Sequence, residues 1–311
     1  MGLMSSALAA PVLLGDQTPR LRSVPPSDTS EGGNATDLAA LAGLRLDPWQ
    51  AHVLEAGLGR RGGRWAAFEV CLIVARQNGK GSILEALELA ALFLFDDVKL
   101  ILHSAHQFKT AAEAFLRIRR LIEERPQFDR RVARVRTTTG AEAIELKDGT
   151  RLRFLARSSG SGRGFTSDLV ILDEAYELGG REMAALLPTL SARPDPQVWY
   201  TSTAGNPDSA QLGRLRQRGL AGGDRSLAFL EWSVDDASYD PADPVGWARA
   251  NPGLGIRIEA DYVARELAAL PAEEFARERL SVGSYPVDDA GTWQVLGQDA
   301  WAACAAPGVL L

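Results

Sequence analysis

The sequence predicts an α/β fold, a mainly parallel sheet with helices packed on both faces. Three observations predict it. From about Asp37 onward, short apolar runs alternate with longer stretches of helical character. Two of the runs, Phe68–Val74 and Leu169–Leu172, are apolar almost throughout, as strands buried on both faces are. The stretch Ser82–Phe95 carries apolar residues nearly all round a helix, which places it inside rather than on the surface. At 46% hydrophobic and 24% charged residues, the 311-residue chain can bury a core of useful size.

The elements follow in order. Residues 1–36 are rich in Ala, Pro, Ser, Thr and Gly and read as a mostly disordered arm. The strand Phe68–Val74 passes through a polar turn, Ala75–Gly81, into the helix Ser82–Phe95. A strand at Lys99–His103 and a helix at Gln107–Glu124 come next, the helix ending before Pro126. Arg134–Thr138, Ala143–Lys147 and Arg151–Leu155 read as short strands, with Asp148-Gly149 as a hairpin turn. A glycine-serine loop, Ser158–Gly164, precedes the strand Leu169–Leu172. A helix at Arg181–Leu190, a strand at Gln197–Thr201, a helix near Ala210–Arg218 and a strand near Leu227–Val234 complete the alternation. Residues 235–311 are less regular, with a helix near Ala260–Leu270.

Bulk properties narrow the function. A net charge of −6 gives no global signal for nucleic acid, though it leaves room for a local basic patch. Cys71 and Cys304 lie far apart without metal-ligand spacing and read as reduced thiols of a cytosolic protein. No run reaches the length of a membrane span. His103 and His106 have no acid or cysteine to complete a metal set and read as structural or surface residues. No Gly-x-Ser-x-Gly elbow supports acyl transfer.

The chemistry concentrates in three segments. Arg76-Gln77-Asn78-Gly79-Lys80-Gly81-Ser82 lies between a buried strand and a helix start. A phosphate needs outward backbone N–H groups, the positive end of a helix and a cation there; glycine permits the close approach, and Lys80 supplies the charge. The common form of this loop has Gly where Val74 stands and Ser or Thr where Gly81 stands. A hydroxyl for Mg²⁺ therefore comes from Ser82 through a shifted turn, or water replaces it. The second segment is the apolar run ending in Asp173 and Glu174. Such a strand delivers acids to its C-terminal end, where open α/β sheets bind ligands: Asp173 to hold Mg²⁺, Glu174 to orient and deprotonate the attacking water. The third is Thr201-Ser202-Thr203-Ala204-Gly205, whose hydroxyls can sense the γ-phosphate and pass its presence on. Each has an ordinary structural reading too: a capped helix, solvated acids, a polar strand end. Together, in this order, they favour ATP hydrolysis on a P-loop fold.

The same segments resemble the ATPase domain of tailed-phage large terminase subunits. Asp47-Pro48-Trp49-Gln50, Ser161-Gly162-Arg163-Gly164-Phe165, Ile171-Leu172-Asp173-Glu174-Ala175-Tyr176 and Ala250-Asn251-Pro252-Gly253-Leu254-Gly255 add to the likeness, which covers roughly residues 40–285. The resemblance implies that Gln50 reads adenine and that Arg76 senses the γ-phosphate. It makes Arg163 a candidate arginine finger on a neighbour's ATP, and Thr201, Ser202 and Thr203 a coupling motif. Trp49 fits either beside the base or in the core. The implied organisation is an ATPase core over 37–234 and a small lid subdomain with the start of a linker over 235–311. Double-stranded DNA, a homo-oligomeric ring, a portal protein and a small terminase subunit are the implied partners, and the host cytoplasm the place of action. The family's full-length members carry a C-terminal metal-dependent nuclease; too few residues follow Val234 for one, and Asp235-Asp236 and Asp288-Asp289 read as solvated acids, so no nuclease activity is expected. Arg117, Arg119 and Arg120, with Arg130, Arg131, Arg134 and Arg136, could face DNA or form a solvated or subunit-contacting face. The rival readings are a helicase-like P-loop ATPase that remodels nucleic acid and a non-enzymatic nucleotide-binding switch.

Overall fold

The computed structural model describes residues 13–157, 166–235 and 237–286. The chain enters through two short strands, β1 (Leu21–Ser23) and β2 (Thr29–Ser30), and two helices, α1 (Gly32–Leu41) and α2 (Pro48–Gly57). Asp47 and Gln50 form a capping box at the start of α2, and Pro48 occupies its first turn, where a missing N–H costs nothing. A small ribbon, β3 (Gly59–Arg61) and β4 (Arg64–Trp65), pairs with β2. The alternation then begins: β5 (Glu69–Ile73), α3 (Lys80–Phe93), β6 (Leu100–Ala105), α4 (Phe108–Glu123) and a single-turn α5 (Pro126–Asp129). Three strands follow, β7 (Val132–Arg136), β8 (Ala143–Leu146) and β9 (Arg151–Ala156). Then come β10 (Leu169–Asp173), α6 (Gly180–Leu190), β11 (Gln197–Ser202), α7 (Ala210–Ala221) and β12 (Leu227–Glu231). Three helices, α8 (Pro244–Ala250), α9 (Ala260–Ala269) and α10 (Ala272–Leu280), end the described chain.

Nine strands form one sheet in the order β1-β12-β5-β11-β10-β6-β9-β8-β7. The six from β12 to β9 are parallel, and antiparallel strands finish both edges, β1 on one side and β8 with β7 on the other. Helices cover both faces, which is why β5, β10 and β11 are buried along nearly their whole length. One core layer joins the sheet to α1–α4 through residues such as Ile83, Leu87, Phe115, Phe154 and Trp199. The other joins it to α6 and α7 through Leu102, Val170, Leu186, Leu212 and Phe229. A third, smaller core around Trp247, Leu254, Val263 and Phe275 holds α8–α10 together. Among the described residues no helix is long and apolar enough to cross a membrane.

The expectation of a mostly disordered arm over 1–36 needs correction over its described part; residues 1–12 lie outside it. β1 adds to the sheet beside β12, with Leu21 opposite Glu231, and α1 already starts at Gly32. Arg20 and Arg216 flank the buried Glu231 carboxylate at 3.3 and 2.9 Å. Ahead of β1 the chain forms a strap between α2 and α8: Gln17 donates to the Pro252 carbonyl and accepts from the Trp49 N–H, while Gly15 and Asp16 donate backbone N–H groups to Leu254 and Ala248. A Cβ on Gly15 would lie 2.0 Å from the Asn251 carbonyl oxygen, so only glycine passes there. The composition hid this order because many of its partners, β12 and the residues around α8 among them, sit more than 200 residues away.

Candidate nucleotide site

The site begins where β5 ends. The chain turns through Ala75–Gly79 and enters α3 at Lys80. Gln77 (φ 61°) and Gly79 (φ 98°) take left-handed conformations, which wind the chain tightly between β5 and α3. Lys80 arches back over the loop, its Nζ donating to the Val74 carbonyl at 3.2 Å. Burial lowers the Lys80 amine from its usual 10.5 to about 8, with Asp173 pulling upward and Arg76 adding to the depression.

Two strands away, β10 delivers the acids. β11 lies between β5 and β10, with Thr201 level with Asp173 and Ser202 level with Ile73, so all three strand ends meet. Asp173 Oδ1 accepts from the Thr201 hydroxyl at 2.7 Å and from the Glu174 N–H at 2.9 Å. Glu174 has φ 54°, a costly backbone for a residue with a Cβ. Arg157, at the end of β9, clamps this turn: its guanidinium donates to the carbonyls of Asp173, Glu174 and Ser104. Thr110 Oγ1 lies 3.5 Å from Glu174 Oε1. Glu174 Oε2 and Ser202 Oγ are buried without a partner among the described residues, the state of polar groups arranged for water or a ligand.

Lys80, Gly81, Ser82, Asp173, Glu174, Ser202 and Thr203 line one pocket of about 400 Å³, with Arg76 and Gln77 at its rim. The loop lysine and both acids therefore converge. Arg76 and Gln77 also border a second groove of about 660 Å³ under α9, beside Tyr262 and Leu270.

Three expected residues sit elsewhere. Gln50 is fully buried and its amide is spent: Nε2 donates to the Gly79 carbonyl at 2.7 Å, and Oε1 accepts from the Asp47 N–H at 2.8 Å. In this structure Gln50 props the loop and caps α2. Asn78 turns away from the pocket into a buried clasp. Its Nδ2 donates to the carbonyls of Ala75 and Arg76 and to Asn251 Oδ1, and its Oδ1 accepts from the Gly253 N–H at 2.8 Å. Asn251 in turn donates to the carbonyls of Trp247 and Arg279. Thr201 is buried against Asp173 rather than lining the pocket. Trp49 is a core residue, edge-on to Trp232 at 5.3 Å. Arg163 lies outside the described residues.

The arginines of α4 differ in the partner each one finds. Arg119 and Arg120 pair with Glu123 and Glu124 one turn on, while Arg117 reaches the pocket with its Nε 2.5 Å from Glu85 Oε1. Burial raises the Glu85 carboxyl despite this partner. His103 is buried on β6 beside Glu88 of α3 at 2.5 Å; burial opposes its charge, Glu88 more than offsets that, and its pKa is raised. Sequence reasoning missed Arg157, Glu85 and Thr110. The only local signal was i, i+4 spacing of Glu85 from Gly81; the other two are set by strand order.

The family described as "Terminase large subunit, ATPase domain" matches residues 48–218. No curated protein matches the chain. Among solved structures, the large terminase of bacteriophage HK97 is similar at 19% identity and a TM-score of 0.71, over 81% of this chain and 55% of that one. The ATPase domain of the Thermus phage P74-26 large terminase is similar at 16% identity and a TM-score of 0.54, over 82% of this chain and 98% of that one. At such identities the likeness is one of fold, and the chain spans about 55% of the length of the HK97 protein. The family match runs over more than half the sequence and takes in the phosphate loop, both acids and the end of β11, so this chain belongs to the terminase large subunit ATPase-domain family.

Proposed function

We propose that this chain is the ATP-hydrolysing motor domain of a phage DNA-packaging terminase, one subunit of a homo-oligomeric ring that drives double-stranded DNA into a procapsid. The observation that carries the reading is the meeting of Lys80, Asp173 and Glu174 across one pocket at adjoining strand ends. Lys80 and the first N–H groups of α3 take the phosphates of ATP, and Arg76 at the rim responds to the terminal one. Mg²⁺ usually binds through one or two carboxylates and fills its shell with water and phosphate oxygens; Asp173 and the Ser82 hydroxyl, both on the pocket, suit that need. When bound, the ion would neutralise charge on the phosphates. Glu174 orients and deprotonates the attacking water, its carboxylate aimed by the left-handed turn that Arg157 braces. Arg163 is the candidate finger for a neighbour's ATP.

Coupling follows from the bonds around the loop. The end of β11, with Thr201, Ser202 and Thr203, is tied to Asp173 through the Thr201 hydroxyl. The Asn78–Asn251 clasp ties the loop backbone to α8 and α10, so a loop rearrangement carries into the lid, residues 235–311 of the proposed division. The core of that division is 37–234. DNA phosphates would find Arg134, Arg136, Arg151 and Arg153, which share one face of β7–β9 by register, although Arg136 also pairs with Glu145 at 2.9 Å. A portal protein and a small terminase subunit are the further partners of such a motor, and the host cytoplasm its place of action. Steady-state ATP turnover of the wild type, Lys80→Ala and Glu174→Gln tests the reading. Both variants should lose turnover; unchanged rates in both would overturn it.

A further inference from the structure

We propose that Arg117 is a phosphate-binding residue of the nucleotide site, and that the glycine at position 81 exists to admit it. The inference rests on the ATP reading above and deepens it. Gly81 stands where phosphate loops of this type usually carry Ser or Thr. Its backbone gives no reason for glycine: it lies inside α3, and it is absent from the residues with positive φ. The reason is steric. A Cβ on Gly81 would lie 3.2 Å from Arg117 Nη2 and 3.7 Å from Arg117 Cζ, tighter than ordinary contact on the first count. The guanidinium is the half-exposed end of a long side chain, and it would have to give by a few tenths of an ångström to make room for a hydroxyl side chain.

The arginine is held for this purpose. Arg117 comes from α4, and Glu85, one turn along α3 from Gly81, grips its Nε at 2.5 Å. The Glu85 side chain is largely buried, so it fixes the inner edge of the guanidinium and leaves the terminal Nη groups at the pocket that Lys80, Asp173 and Glu174 line. Phosphate oxygens are matched by just such a rigid pair of N–H donors. The neighbouring Arg119 and Arg120 show the ordinary alternative, i, i+4 pairs with Glu123 and Glu124. Lys80 from the loop and Arg117 from α4 would thus flank the phosphate chain, the second cation partly taking over what a hydroxyl and its metal do in the common loop.

Equilibrium titration of ATP and ADP in excess EDTA, then in Mg²⁺, tests this on the full chain. The set is wild type, Lys80→Ala, Arg117→Gln, Arg117→Lys, Gly81→Thr and the double Gly81→Thr/Arg117→Gln, each checked by thermal melting. Arg117→Gln should weaken metal-free binding about tenfold, Arg117→Lys less, with melting temperature little changed. Gly81→Thr should weaken metal-free binding in the wild-type background and add nothing once Arg117 is gone. Should Arg117→Gln fail to fold, Arg117→Lys and Gly81→Thr carry the same test. Metal-free affinity within about twofold of wild type for the Arg117 variants, alongside a clear loss in Lys80→Ala, would overturn this inference and leave the ATP reading standing. A wild type that binds no nucleotide would overturn both.

Discussion

On its pocket side the phosphate loop faces buried groups left open, whereas towards α8 and α10 the two buried asparagine amides are both answered. Glu174 Oε2 and Ser202 Oγ are buried at the strand ends with no partner among the described residues. Across the loop, Asn78, Asn251 and the Gly253 N–H satisfy one another, and Arg279 Nη1 donates to the Arg76 carbonyl at 3.0 Å. An unanswered buried polar atom costs about 1–3 kcal/mol, so a water or ligand that completed these two at the strand ends would be stabilised by them. The closed side is the frame that fixes where the open side points. The loop is thus built as a template with a finished back and an unfinished front.

The sharpest way to break this contrast is at the front. Glu174→Gln removes the proposed base while keeping the shape, and hydrolysis should fall by about 100-fold or more with ATP affinity nearly unchanged. A small loss in single-turnover rate would mean that Glu174 is not the group that meets the water. The next largest effect belongs to the back. Asn251→Ala strips partners from Asn78, Trp247 and Arg279, and urea denaturation should register a loss of about 1–3 kcal/mol together with weaker ATP binding. A double-mutant cycle with Asn78→Ala should show coupling; strict additivity would mean the two amides do not act as a clasp.

The pH dependence of Lys80 sharpens the contrast further. The folded amine titrates near 8 and the free one near 10.5. ATP prefers the charged form, so affinity should be full below pH 8 and fall above it, by up to about tenfold per pH unit until the bound amine's own pKa is reached. Stability of the nucleotide-free protein should move the other way. Between the two values the unfolded chain holds more protons, so stability rises with pH across that window. Titrations of Lys80→Arg, which keeps its charge, should lose the fall in affinity; a fall that persists would assign it to another group. The smallest effect is expected for Thr201→Val. It removes one hydroxyl from Asp173 and should cost about 1 kcal/mol in thermal or urea unfolding, with a modest loss of turnover.

What could be read in the residues beforehand follows the range of the forces. The passage from β5 through the loop into α3, and the delivery of Asp173 and Glu174 by β10, are local patterns of apolar runs and turn chemistry, and both were legible. Gln50 was legible as a residue of note, but its bond to the loop was not, because only the fold brings it to the Gly79 carbonyl 29 positions on. Asn78 and Asn251 are 173 residues apart, and no periodicity points from one to the other. The order of β1 was invisible for the same reason, since its partner strand is β12. Arg117 is a like case. It lies i, i+3 from Arg120 on one helix, so α4 alone could not single it out; the contact with Glu85 and the space it fills at position 81 come from packing against α3.

The strap of residues 15–17 has a consequence for how the molecule is made. Of their partners, Trp232, Ala248, Pro252 and Leu254 are synthesised more than 200 residues after them. The strap's bonds to these residues must therefore wait while most of the sheet assembles behind it. Closing so long a loop is slow relative to forming a helix, so docking of this stretch should be the last and slowest event of maturation.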